Sequence, residues 1–121
     1  MAKLKELKAG IIVRTARISD RDWYANDIAA AANLGVKISV SGNDGIRIRQ
    51  TMAAFVNAGM NEAAALKAIT THAASSYGLK NVGSLSRGAF ADIVIWDESP
   101  LNLSARPIHV IVDGRLTKDL K

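Results

Sequence analysis

A chain of 121 residues, 49% apolar and 22% charged, is long enough to bury one ordinary core and is bounded to one domain or one piece of a larger one. The absence of cysteine excludes disulfides, thiolate metal sites and cysteine nucleophiles, so any metal must be held by oxygen or imidazole. The formal charge of +5 is dispersed from Lys3 to Lys121 without aromatic interleaving, which argues against a nucleic-acid partner. No stretch is apolar and long enough for a signal peptide or a membrane span, so the chain reads as cytoplasmic with no membrane partner.

In chain order, Leu4 and Leu7 are spaced for one helical face, and Gly10 is placed to end that helix before a β-rich run at 11–15. Ser19 or Asp20 can cap the next helix, whose apolar side uses Trp23, Tyr24, Ile28, Ala31, Ala32 and Leu34 before a stop at Gly35. A second strand is expected at 36–40. Two strands joined through a helix of this length form a βαβ unit, which implies a parallel pair. The loop Ser41-Gly42-Asn43-Asp44-Gly45 leads into a helix through Met52, Phe55 and Val56 to Gly59. Asn61 caps a further helix with Glu62 in its first turn and Leu66, Ile69, Ala73 and Tyr77 on one face, ended by Gly78. From Val82 the period becomes two. Short strands are expected at 82–85, 91–97, 109–112 and 115–117, with Asp113-Gly114 as a type I′ hairpin turn. The pattern divides the chain into an α/β part, residues 1–80, and a smaller β part, residues 81–121.

The run from Gly83-Ser84-Leu85 through Gly88 and Ala91-Asp92 to the apolar strand Ile93-Val94-Ile95-Trp96 resembles the segment that closes many metal-dependent amidohydrolases. Gly88 suits a reversal that needs positive φ, and Asp92 can accept from nearby backbone N–H groups. Gly59 with the stretch from Asn61 to Thr71, and Val110-Ile111-Val112-Asp113-Gly114-Arg115, resemble two further blocks of that family in the same order. The resemblance is to the imidazolonepropionase and metal-dependent carboxypeptidase type. It implies an α/β fold made of the last βα units of an amidohydrolase (β/α)8 barrel, followed by a small C-terminal β part belonging to a composite domain. It also implies hydrolysis of C–N bonds in a small-molecule amide, with a divalent metal, zinc in particular, as cofactor of the complete enzyme.

Asp44 follows the second strand directly, where barrel enzymes place catalytic groups, and the resemblance makes it both metal ligand and general base. Its surroundings, Gly42-Asn43-Asp44-Gly45, are equally an ordinary turn sequence, in which Asp44 is an Asx-type turn residue. Arg14 and Arg17, at the end of the first strand, are candidates to bind a substrate carboxylate and are otherwise solvated side chains. His72 and His109 lack ligand-like spacing and read as structural, and Ser39 and Ser41 have no visible base partner. One aspartate cannot assemble a hydrolytic zinc site, which normally takes three protein ligands and an open position. The chain is therefore expected to be inactive alone, with its sheet edges covered by self-association or by a partner chain supplying the rest of the barrel. The alternative is a non-catalytic assembly or binding module derived from that fold.

Overall fold

The computed structural model describes residues 2–15 and 22–119. A short helix α1 (Ala2–Glu6) precedes strand β1 (Gly10–Arg14), helix α2 (Asp22–Asn33) and strand β2 (Lys37–Ser41). The two strands pair in parallel from Gly10 opposite Lys37 to Arg14 opposite Ser41, as the βαβ reading required. Helices α3 (Gly45–Asn57), α4 (Glu62–Ile69) and α5 (Thr71–Ser76) follow. The chain then forms an antiparallel sheet of β3 (Ile93–Trp96), β4 (Pro107–Val112) and β5 (Arg115–Asp119).

One face of the parallel pair carries the core. Val13, Val36, Ile38 and Val40 are buried there against Met52 and Phe55 of α3 and a series of alanines. The alanines explain the composition: Ala25, Ala29 and Ala31 on α2, and Ala65 and Ala68 on α4, are each at most 5% exposed, because small side chains let helices approach closely. Bulk is concentrated in Phe55, Ile38 and Met52, each worth about 2–3 kcal/mol of burial. Tyr24 meets Phe55 edge to face with ring centroids 6.0 Å apart. Buried Thr51 turns its hydroxyl back to the Arg47 carbonyl at 2.8 Å, so the core holds no unsatisfied threonine.

Several local expectations are corrected. Helix α1 ends at Glu6, the reversal is made by Lys8 at φ 52°, and Gly10 already belongs to β1. Leu7 and Leu34 are exposed, whereas Leu4 packs on the core. The helix expected from 61 to 77 breaks at Thr70, whose backbone leaves the helical region (φ −126°, ψ −97°). With the break, the buried face of this stretch is Ala65, Ala68 and Ala74, and Leu66 and Tyr77 lie outside it. The strand expected at 82–85 is absent. Gly83 has φ +76°, and a Cβ there would lie 2.7 Å from the Thr70 carbonyl oxygen and 3.1 Å from the Thr71 nitrogen. This glycine lets the chain cross the α4–α5 break at backbone contact, a constraint that excludes regular pairing of the segment. The capping proposed for Ser19 or Asp20 lies outside the described residues.

The hairpin expectation holds in detail, with Asp113 at φ 50° and Gly114 at φ 74°, the positive pair that a type I′ turn needs. Asp92 accepts from the Asp113 N–H at 2.9 Å and Ala91 from the Gly114 N–H at 3.0 Å, so the Ala-Asp pair ties β3's entry to the hairpin. Arg49 joins α3 to the antiparallel sheet and the loop before β4. From α3 its Nε donates to the Pro100 carbonyl (2.9 Å) and its Nη2 to those of Asn102 (2.6 Å) and Ala105 (3.1 Å). The guanidinium carbon stands 4.6 Å from the centre of the Trp96 ring.

These two contacts make quantitative demands. Arg49→Ala should lower stability in urea unfolding by about 2–4 kcal/mol, since three charge-assisted bonds and a cation–π contact go together, and Arg49→Lys should recover only a minor part because an ammonium cannot reproduce the planar fork. Gly83→Ala should cost at least about 2 kcal/mol through the combination of left-handed φ and backbone collision, measurable as a lowered urea midpoint with unchanged slope.

Candidate functional site

The site that the strands position lies at their C-terminal ends. β2 closes at Ser41, and Gly42 then passes so near Thr15 that an added Cβ would stand 2.7 Å from the Thr15 hydroxyl oxygen. The Thr15 N–H donates to the Ser41 carbonyl at 2.9 Å, extending the parallel pairing one step past β1. Glycine at 42 thus keeps the two strand ends together and delivers Asp44 immediately beyond them.

Asp44 is the N-cap of α3. Its backbone is extended (φ −137°, ψ 113°) and its Oδ1 accepts the Ile46 N–H at 2.9 Å, satisfying one of the donors every helix start leaves open. The other oxygen, Oδ2, lies 3.5 Å from Nε of Arg47, one turn on. That ion pair is substantially exposed and contributes little to stability. The carboxylate is therefore fixed in direction by the helix while part of it still faces solvent.

Arg14 ends β1 with its side chain exposed. Its register partner is Ser41. Arg17, the other sequence candidate for substrate binding, lies outside the described residues. Ser41 carries a feature that sequence reading missed, because the Tyr77 hydroxyl donates to its Oγ at 3.2 Å. The same helix end binds β2 twice more. Ser39 and Ser76 share a hydroxyl–hydroxyl bond at 3.0 Å, and Nδ1 of His72 meets the Ile38 carbonyl at 3.1 Å. A carbonyl can only accept, so Nδ1 carries the proton, and this histidine has the structural role its position in the sequence suggested. His109 lies within β4, opposite Ile95 and Asp119, and so in the other sheet.

The metal that the sequence resemblance implies can be tested against these side chains. Among the described residues no three of His, Cys, Asp or Glu come together as a group able to hold a metal ion. Asp44 offers one carboxylate, of which one oxygen is committed to the α3 cap. The residues described do not by themselves fit a divalent metal.

Two parallel strands joined through a helix, with a carboxylate and an arginine at their C-terminal ends, make one βαβ unit of an α/β fold. The model of the amidohydrolase family matches residues 8–117, and the chain belongs to that family. It is 42% identical over 52 residues to the amidohydrolase tasK of Hapsidospora irregularis, a match covering 42% of this chain and 5% of that protein. The crystal structure of an amidohydrolase from Thermotoga maritima MSB8 superposes with a TM-score of 0.76 at 23% identity, covering 97% of this chain and 33% of that one. The chain thus spans about a third of the solved relative and a twentieth of the curated one. The amidohydrolase family is generally metal-dependent. Among the described residues no helix is long and apolar enough to cross a membrane.

The double use of Asp44 can be separated by substitution. Asp44→Ala should destabilise the chain by about 1 kcal/mol in thermal or urea unfolding, whereas Asp44→Asn, whose side-chain oxygen still caps Ile46, should stay within a few tenths of wild type.

Proposed function

We propose that this chain is the C-terminal portion of a metal-dependent amidohydrolase that hydrolyses C–N bonds in small-molecule amides, of the imidazolonepropionase and metal-dependent carboxypeptidase type. The observation that carries the reading is the place of Asp44, a directed and partly solvated carboxylate at the C-terminal end of a parallel strand. A carboxylate so held can accept the proton of an attacking water, the task of a general base. It can also contribute one oxygen to a divalent metal, zinc by the family's habit, with the remaining ligands supplied by residues other than those described here. On this reading residues 1–80 are the closing βα units of the barrel, and residues 81–121 are one part of a small composite β-domain. The chain alone is inactive, and its two-stranded sheet is completed by the rest of the barrel, from a partner chain or by self-association.

Asp44 itself supports a second reading. Both of its oxygens already have partners, the Ile46 N–H and Arg47, which suffices for a capping residue in a non-catalytic assembly module. Turnover separates the two. In the assembled hydrolase, with this segment in place, Asp44→Asn should lower kcat for amide hydrolysis by at least about 100-fold while the unfolding midpoint stays unchanged. Undiminished turnover would leave only the capping role, and measurable hydrolysis by the isolated chain would refute its dependence on further residues.

A further inference from the structure

We propose that residues 71–82, with α5 at their start, form a hinged latch over the closing seam of the barrel, which swings away when the rest of the barrel joins this chain. The proposal rests on the reading of residues 1–80 as closing βα units, and it adds how those units are completed.

The direction of the backbone locates the seam. The Ser41 carbonyl points to β1, where it accepts the Thr15 N–H. In a parallel pair the backbone groups of alternate residues address the same neighbour, so Ser39 also faces β1, while Ile38 and Val40 turn their N–H and C=O groups to the outer edge. At that edge the Ile38 carbonyl accepts from His72 of α5. The helix also reaches one face of β2. Ile38 and Val40 pack into the core, and side chains alternate along a strand, so Ser39 and Ser41 lie on the opposite face, where Ser76 and Tyr77 meet them. Ser39 is 3% exposed under this cover, whereas its register partner Ile12 remains 53% exposed.

A closed barrel claims both positions. Its last strand pairs with its first along the outer edge, and its inside is filled by inward side chains. α5 and a barrel strand therefore cannot hold β2 at the same time. The helix also fits the edge incompletely, because Val36, Lys37, Ile38, Asn61, Lys67 and His72 line an open cleft of about 590 Å³ beside it.

The attachment is built to open. The segment leaves and returns at one point, since Gly83 lies against the Thr70 carbonyl and the Thr71 nitrogen, and a loop with its ends together can move as a unit. Both ends of α5 are breaks, with Thr70 outside the helical region and Gly78 at φ +68°. Among the residues of α5 Ala74 alone is buried. Its hold on β2 is thus chiefly the three side-chain bonds from His72, Ser76 and Tyr77, whose partners a pairing strand or water can satisfy instead.

The chain contains no cysteine, so an introduced thiol reports on one position alone. Ser39→Cys places a thiol under the latch, and Thr51→Cys places one in the core. In the full chain under native conditions a thiol reagent should label position 39 at least about tenfold faster than position 51, and with little dependence on low urea, because local opening exposes less surface than unfolding. His72→Ala should speed labelling at 39 by about three- to tenfold, whereas the core variant Phe55→Leu should speed labelling at 51 and leave 39 unchanged. Amide hydrogen exchange of the unmutated chain gives the same comparison, residues 74–79 against α3. For the swing on assembly, the pair Ser39→Cys/Ser76→Cys, whose parent hydroxyls are 3.0 Å apart, should crosslink on mild oxidation of the isolated chain and not in the assembled hydrolase. The latch is refuted if positions 39 and 51 are labelled in step across urea, or if Phe55→Leu accelerates both. Equal crosslinking in the assembled enzyme refutes the swing. Neither arm reads turnover, so an indifferent Asp44 leaves the latch standing, and a latch that never opens leaves the assignment of Asp44 standing.

Discussion

The fork of hydrogen bonds from Arg49 is the interaction on which the assembly of this chain depends. Each sheet can be built from local pairings, but the antiparallel sheet presents much exposed apolar surface, with Val94, Ile95, Val112 and Leu116 all at least 41% exposed. Burial alone therefore holds it only loosely to the helical layer. Arg49 instead spans α3 and the loop before β4, satisfying three carbonyls that no strand pairing would reach and laying its charge over Trp96. A guanidinium suits this task because its donors are planar, fixed and permanently charged. Leu101 and Ala105, buried beside that loop, complete the contact with apolar surface.

A second constraint is the crossing of Gly83 over the break at Thr70. The Gly-Ser-Leu block and the helix ending in threonine are two separate signatures in the sequence, and in three dimensions they are one contact. The glycine backbone can approach the Thr70 carbonyl only because it lacks a Cβ. The break at Thr70 in turn frees α5 to run along β2 and fasten to it through His72, Ser76 and Tyr77. The geometry of the strand ends is thus set from behind, by residues whose sequence neighbours give no hint of a site.

Family and site came into view by different routes. The parallel pair was legible because two β-branched runs flank one amphipathic helix, and the hairpin because Asp-Gly tolerates two positive φ values. Asn61 was legible as a cap through the short polar side chain it places before a helix, whereas Asp44, read as a strand-end carboxylate or an Asx-type turn residue, proves to be the cap of α3. The amidohydrolase family followed from motif order and is upheld by the match over residues 8–117. By contrast, Leu66 and Tyr77 misled, because their periodicity suggested a core face that the break at Thr70 dissolves. Arg49 read as one more solvated cation among many, and Ser41 as a serine without a partner.

The sequence by itself determined what is encoded within a few residues: which segments are helix or strand, where they turn, and which carboxylate stands at a strand end. Local sterics and side-chain alternation act over that range and leave a periodic trace. Only the tertiary structure decided that Arg49 binds carbonyls more than fifty residues away, that Gly83 rests on Thr70, and that Tyr77 meets Ser41. Those choices depend on the mutual placement of elements already formed. Polar partners brought together by packing share no spacing in the chain, and so leave no pattern in it.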